Sequence, residues 1–135
     1  MFSFHIFNIT LAAAALAFSG GAQALTVKPY SAAALAVAQK TYNSVALHFH
    51  APWCPTCREQ DKVLDKLKTD PALDKVIVLL VDYDTSKQLR KKLHIEAQST
   101  FVVYRGKTEV TRNAGEMDPA KIKSTLMQGL ALRRE

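Results

Sequence analysis

The two cysteines of the chain, Cys54 and Cys57, are separated only by Pro55 and Thr56. Thiols at this spacing can close a small disulfide ring. Where the first opens a helix, the unpaired N–H groups and dipole of that helix favour its thiolate. The chemistry would then be reversible two-electron exchange with another thiol or disulfide. Two other uses of the same residues stand beside it. A permanent disulfide would brace the fold. Alternatively, His48, His50, Cys54 and Cys57 spell H-x-H-x3-C-x2-C, and two imidazoles with two thiolates make a tetrahedral set for Zn or Cu(I) in a metal-binding chaperone. The strand-to-helix setting of the pair favours redox exchange.

That setting is read from the flanking residues. Ser44 to His50 is rich in β-formers, and period-two geometry sends Val45, Leu47 and Phe49 to one face and Ala46, His48 and His50 to the other. Arg58 to Lys68 places Val63, Leu64 and Leu67 at helical spacing among charged residues, which predicts an amphipathic helix running on from the cysteines. Before the strand, Leu25 to Lys28 reads as a short leader and Pro29 to Thr41 as a helix starting near Ser31.

Beyond the motif, the continuous apolar run Val76 to Val81 is that of a strand buried on both faces, which requires helices above and below it. A short helix is expected near Ser86 to Leu93, capped by Asp84 or Thr85. Thr100 to Tyr104 and Thr108 to Thr111 flank a Gly-containing turn and read as a hairpin. Asp118-Pro119 supplies a cap and a first-turn proline for a last helix through Ile122, Leu126 and Leu130.

The first 24 residues stand apart. Ile6 to Phe18 is an apolar, alanine-rich run, and Ala22-Gln23-Ala24 has the small-x-small form of a signal-peptidase site. Residues 1–24 therefore read as a signal peptide and 25–135 as one domain, exported to the periplasm, or membrane-anchored if the segment stays uncleaved. The amino-terminal region departs from the usual pattern in carrying no Lys or Arg. The net charge of +6 falls wholly on the domain. Its lysines and arginines are dispersed and not interleaved with aromatics, which argues against nucleic acid as a partner. Neither GxGxxG nor GxxxxGK[ST] occurs, so no nucleotide or flavin cofactor is expected.

The order helix, strand, helix, strand, helix, hairpin, helix, with Ala51-Pro52-Trp53-Cys54-Pro55-Thr56-Cys57 after the first strand, resembles the thioredoxin superfamily over nearly all of residues 25–135. The family's Ala-x-Trp-Cys-Gly-Pro-Cys segment differs in the dipeptide between the cysteines. The resemblance implies an α/β, three-layer fold, with a central mixed sheet of about four strands flanked by helices. It also implies a protein-disulfide oxidoreductase whose redox-active disulfide joins Cys54, an exposed nucleophile, to Cys57, the resolving thiol. Trp53 would be an apolar platform beside the reactive sulfur, and Pro55 and Thr56 would tune the thiolate.

The resemblance has two departures that bear on mechanism. Ser99, followed by Thr100, stands where the family carries a cis-proline facing the cysteines. A cis bond before a non-proline costs about 2.5–4 kcal/mol, so Gln98-Ser99 is expected to be trans, with the Ser99 hydroxyl available to the sulfur and a client backbone able to pair along this edge. His48 stands where many thioredoxins bury an aspartate, and a neutral imidazole there would accept the Cys57 proton. Implied partners are client proteins with thiols or disulfides and a membrane-embedded dithiol electron donor. A monomer is expected, with a lean toward the reductase direction because the chain has no room for the inserted helical domain of oxidising relatives.

Overall fold

In a computed structural model of the protein, residues 24–130 are described. The expected signal peptide, apart from Ala24, lies outside them. Five strands and four helices follow in the order β1 (Leu25–Pro29), α1 (Ala32–Thr41), β2 (Ser44–His50), α2 (Pro55–Leu67), β3 (Val76–Asp82), α3 (Lys87–Leu93), β4 (Thr100–Arg105), β5 (Thr108–Ala114) and α4 (Pro119–Met127). They form one mixed sheet of order β1-β3-β2-β4-β5. β3 pairs in parallel with both β1 and β2, and the β4–β5 hairpin joins β2 antiparallel.

Each face of the sheet is closed by the side chains that period-two geometry delivers to it. Ala46, Val76, Val78, Phe101 and Val103 meet Val63, Leu64 and Leu67 of α2 and Ile122 and Leu126 of α4. On the other face Val45, Leu47, Phe49, Ile77, Leu79 and Val81 meet Ala38 of α1, with Leu89 and Leu93 of α3 packed at the margin. β3 contributes to both cores, as its unbroken apolar run requires.

The sheet has five strands where about four were expected, because the leader is itself a strand. Leu25 to Pro29 pairs in parallel with Val76 to Leu80. Five residues ending in proline give little periodic signal, and a proline is tolerated at the end of an edge strand, where its missing N–H breaks no ladder. The first helix accordingly starts at Ala32 and not at Pro29, with Ser31 Oγ accepting from the Ala34 N–H at 2.9 Å, a cap worth about 1 kcal/mol.

The cap expected of Asp84 or Thr85 on α3 is not made. Ser86 is the cap residue and has no side-chain bond, while Asp82 Oδ1 accepts from the N–H groups of Asp84 (2.9 Å) and Thr85 (3.1 Å). Asp82 closes the turn and leaves the Asp84 carboxylate free for another partner. At α4 the expected Asp118-Pro119 start holds, with Asp118 accepting from the Lys121 N–H at 2.9 Å.

Candidate active site

The strand β2 ends at His50, and the chain reaches α2 through Ala51 to Cys54. Cys54 is the N-cap residue of α2 and Pro55 occupies its first turn, where a proline's missing N–H is not needed. The N–H of Cys57 donates to Cys54 Sγ at 3.1 Å. The two thiols are therefore neighbours across the first helical turn, and the positive end of the helix faces the first sulfur. Both are free thiols.

The expectation that Cys54 is exposed is corrected by its burial: only 2% of it is accessible, and Cys57 is fully buried. The two cysteines and Ala51 form a small apolar cluster against which Tyr83 packs. Burial pushes the Cys57 thiol up to about 11, helped by its hydrogen bond to Cys54 and opposed by the backbone N–H groups of Ala51 and Ser99. Cys57 is thus held protonated.

Trp53 is 55% exposed, a surface side chain and not a core aromatic. Its indole N–H donates to Asp84 Oδ2 at 2.8 Å, the carboxylate released by the Asp82 turn. Pro55 is exposed and Thr56 half-buried beside it.

Ser99 follows a trans peptide, as expected, and has φ of 58°. For a non-glycine residue this left-handed conformation is strained by about 1 kcal/mol or more. It is held by the backbone: the Ser99 N–H donates to Phe49 O at 2.7 Å, and its carbonyl accepts from the Gly115 N–H at 3.0 Å and from Gln60 Nε2 at 3.1 Å. The hydroxyl donates to Gln98 O at 2.6 Å and makes no hydrogen bond to a sulfur. With both Ser99 peptide groups engaged inside the fold, the client pairing expected there has no free partner at Ser99 itself. Thr100 is buried, its hydroxyl donating to Ala97 O at 2.8 Å.

His48 is fully buried. Its Nε2 lies 2.7 Å from Gln60 Oε1, and its Nδ1 has no hydrogen-bond partner among the described residues. Burial pushes its pKa down to about 4, reinforced by His50 and opposed by the Gln60 bond and Asp61, so the ring is neutral at ordinary pH. His50 Nε2 meets Asp61 Oδ2 at 2.8 Å. The two histidines share a face, as read from the strand, but each takes a partner on α2. Among the described residues no three His, Cys, Asp or Glu side chains converge to hold a metal ion, so the H-x-H-x3-C-x2-C set is not assembled.

The sequence does not mark Gln60, Asp61, Tyr83 or Asp84 as site residues, Asp84 being expected there only as a helix cap. Gln60 had a signal: with Cys57, Leu64 and Leu67 it occupies the buried stripe of α2, and an amide in an apolar stripe must find partners. Asp61 lies in the middle of α2, and Tyr83 and Asp84 lie just beyond β3; the pairing of all three depends on tertiary placement.

Two adjacent thiols at the N-terminus of a helix, seated on a mixed sheet with helices on both faces, define a thiol–disulfide exchange protein. The sequence model described as Thioredoxin matches residues 27–128, and the chain belongs to the thioredoxin family. It is 32% identical over 84 residues to a thioredoxin of Malassezia sympodialis, covering 62% of this chain and 79% of that protein. Among solved structures it is similar to Trxlp from Edwardsiella tarda EIB202, with 36% identity and a TM-score of 0.70 over 75% of this chain and 98% of that one. It is also 32% identical over 75 residues to the protein disulfide-isomerase erp38 of Neurospora crassa, matching 54% of this chain and 20% of that longer protein. The protein is a protein-disulfide oxidoreductase.

Proposed function

We propose that the protein is an exported, monomeric thiol–disulfide oxidoreductase that reduces disulfides of client proteins in the periplasm of a Gram-negative bacterium, with Cys54 as nucleophile and Cys57 as resolving thiol. The observation that carries the assignment of roles is the 3.1 Å bond from the Cys57 N–H to Cys54 Sγ at the start of α2. The Cys54 thiolate attacks one sulfur of a client disulfide, forming a mixed disulfide and releasing the other client sulfur as thiolate. Cys57 then loses its proton and attacks Cys54 Sγ, which frees the second client thiolate and leaves Cys54 and Cys57 joined. Two electrons have passed to the client, and a second dithiol, membrane-embedded, returns them.

His48 accepts the Cys57 proton in this scheme. Burial makes the imidazole less basic and the thiol less acidic, so transfer ahead of attack is uphill and the proton leaves as the sulfur–sulfur bond forms. Support for the reductase direction is the direct passage from β3 through α3 to β4, without an inserted helical domain. The test is the Cys54–Cys57 reduction potential against a glutathione series, with the Cys57→Ser variant used to trap clients from a periplasmic extract. A potential near that of thioredoxin, about −270 mV, is expected; one near about −120 mV would reverse the direction. Export is tested by amino-terminal sequencing of the protein recovered from the periplasm, which is expected to begin at Leu25.

A further inference from the structure

Two buried side-chain nitrogens lack a hydrogen-bond partner among the described residues, His48 Nδ1 and Arg90 Nε. The first lies next to the most connected polar side chain of the interior. Gln60 is fully buried, one turn beyond Cys57 on α2. Its Nε2 is 3.1 Å from Ser99 O and 2.9 Å from Glu116 O. Carbonyl oxygens only accept, so the atom facing them must be the amide nitrogen, with both its hydrogens engaged. The amide oxygen is left facing His48 Nε2 at 2.7 Å. Because that oxygen also only accepts, His48 must carry its proton on Nε2. A neutral imidazole has one proton, and Nδ1 is then a bare acceptor.

Gln60 also holds the Ser99 peptide through its carbonyl. The Ser99 carbonyl takes the Gln60 amide, and the Ser99 N–H donates to Phe49 O at 2.7 Å. We propose that Gln60 is a positioning residue for thiol–disulfide exchange: held by the Ser99 and Glu116 carbonyls, it fixes His48 in the Nε2–H tautomer with Nδ1 bare, and so governs release of the Cys57 proton. The functional half rests on the exchange reading above; the tautomer follows from hydrogen bonding alone.

The groups around His48 leave few rivals for control of its proton. From β2, His50 meets it edge-on with ring centroids 5.5 Å apart, and from β4 the uncharged Phe101 stacks on it. From α2, Asp61 is bound to His50. The Glu116 carboxylate turns away to the N–H groups of Met117 and Asp118.

The test has three arms. Imidazole nitrogen resonances of the intact wild-type protein report the His48 tautomer, expected as protonated Nε2 and bare Nδ1; the opposite tautomer overturns the inference without any variant. Exchange of wild-type protein with glutathione disulfide is followed next. If Cys54 and Cys57 never cycle, the exchange reading and the functional half of the inference fall together. If they cycle, Gln60→Leu is compared with Gln60→Glu for the rate at which Cys57 resolves a mixed disulfide on Cys54, across pH. Loss of all three partners in Gln60→Leu is expected to slow resolution at neutral pH by about tenfold or more and to displace its pH profile. Gln60→Glu keeps an acceptor for Nε2–H and is expected to retain the tautomer while losing the carbonyl contacts. A Gln60→Leu profile identical to wild type overturns the positioning role alone.

Discussion

His48 and Phe101 are direct partners across the antiparallel β2–β4 ladder, and their rings stack with centroids 4.2 Å apart and planes 12° from parallel. Phe101 is a wall of the chamber that keeps His48 dry, and dryness is the largest cause of its depressed pKa of about 4. As pH falls below about 6.5, the unfolded chain takes up a proton on this histidine before the native protein does. Stability attributable to His48 is therefore full above that pH and is lost as pH falls toward 4, by about 3 kcal/mol in all. Urea midpoints at pH 7 and pH 4.5 should drop for wild type and change less for His48→Leu. Asp70 and Asp82, whose carboxyls are held low chiefly by Lys123 and by the Thr85 N–H respectively, lose their contribution at lower pH and are common to both proteins. An equal drop in the variant would remove His48 as the cause.

The two thiols should be separable by alkylation. With its thiol pushed up to about 11 by burial, Cys57 is about one part in a thousand thiolate at pH 8, and it has no accessible surface. Limited iodoacetamide at pH 8 is expected to give a singly modified reduced protein, with the label on Cys54 by peptide mapping. Equal labelling of both positions would contradict the assigned roles.

The 2.8 Å bond from the Trp53 indole to Asp84 holds an exposed aromatic in one place beside the cysteines. Asp84→Ala should leave the fold intact, since Asp84 is exposed and its turn is closed by Asp82. It should raise the mobility of Trp53, the chain's single tryptophan, seen as lowered fluorescence anisotropy, and cost about 1 kcal/mol or less in stability. Anisotropy unchanged by the substitution would mean that packing, and not the carboxylate, orients the ring.

What could be read from sequence was whatever declares itself over a few residues. The faces of β2, the doubly buried β3, the Asp118-Pro119 start of α4 and the helix carrying Cys57 all follow from local periodicity or capping, and each stands as expected. β1 escaped because a five-residue edge strand takes its identity from β3 and not from its own pattern. The His48 and His50 pair looked like half of a metal site because spacing fixes the face but not the partner; Gln60 and Asp61 on α2 claim both rings. The burial of Cys54 depends on Tyr83, which arrives from the end of β3. Such contacts between distant segments leave no mark at either site.

Ser99 stands where the resemblance to the thioredoxin superfamily would place a proline. Proline fixes φ near −65° and has no N–H, whereas Ser99 sits at φ of 58° and donates to Phe49 O at 2.7 Å. Ser99→Pro must both lose that bond and turn the backbone, so the Gln60 and Gly115 contacts to the Ser99 carbonyl are displaced as well. A loss of about 2–4 kcal/mol is expected. Ser99→Gly removes the steric cost of positive φ while keeping every backbone bond, and should be neutral or more stable by up to about 1 kcal/mol, since glycine's extra unfolded freedom offsets part of the gain. Chemical denaturation of the two variants beside wild type gives the order directly. If Ser99→Pro proved as stable as wild type, the backbone here would have an alternative conformation of equal energy, and the bonds of Ser99 to Phe49, Gln60 and Gly115 would not be what holds it at positive φ.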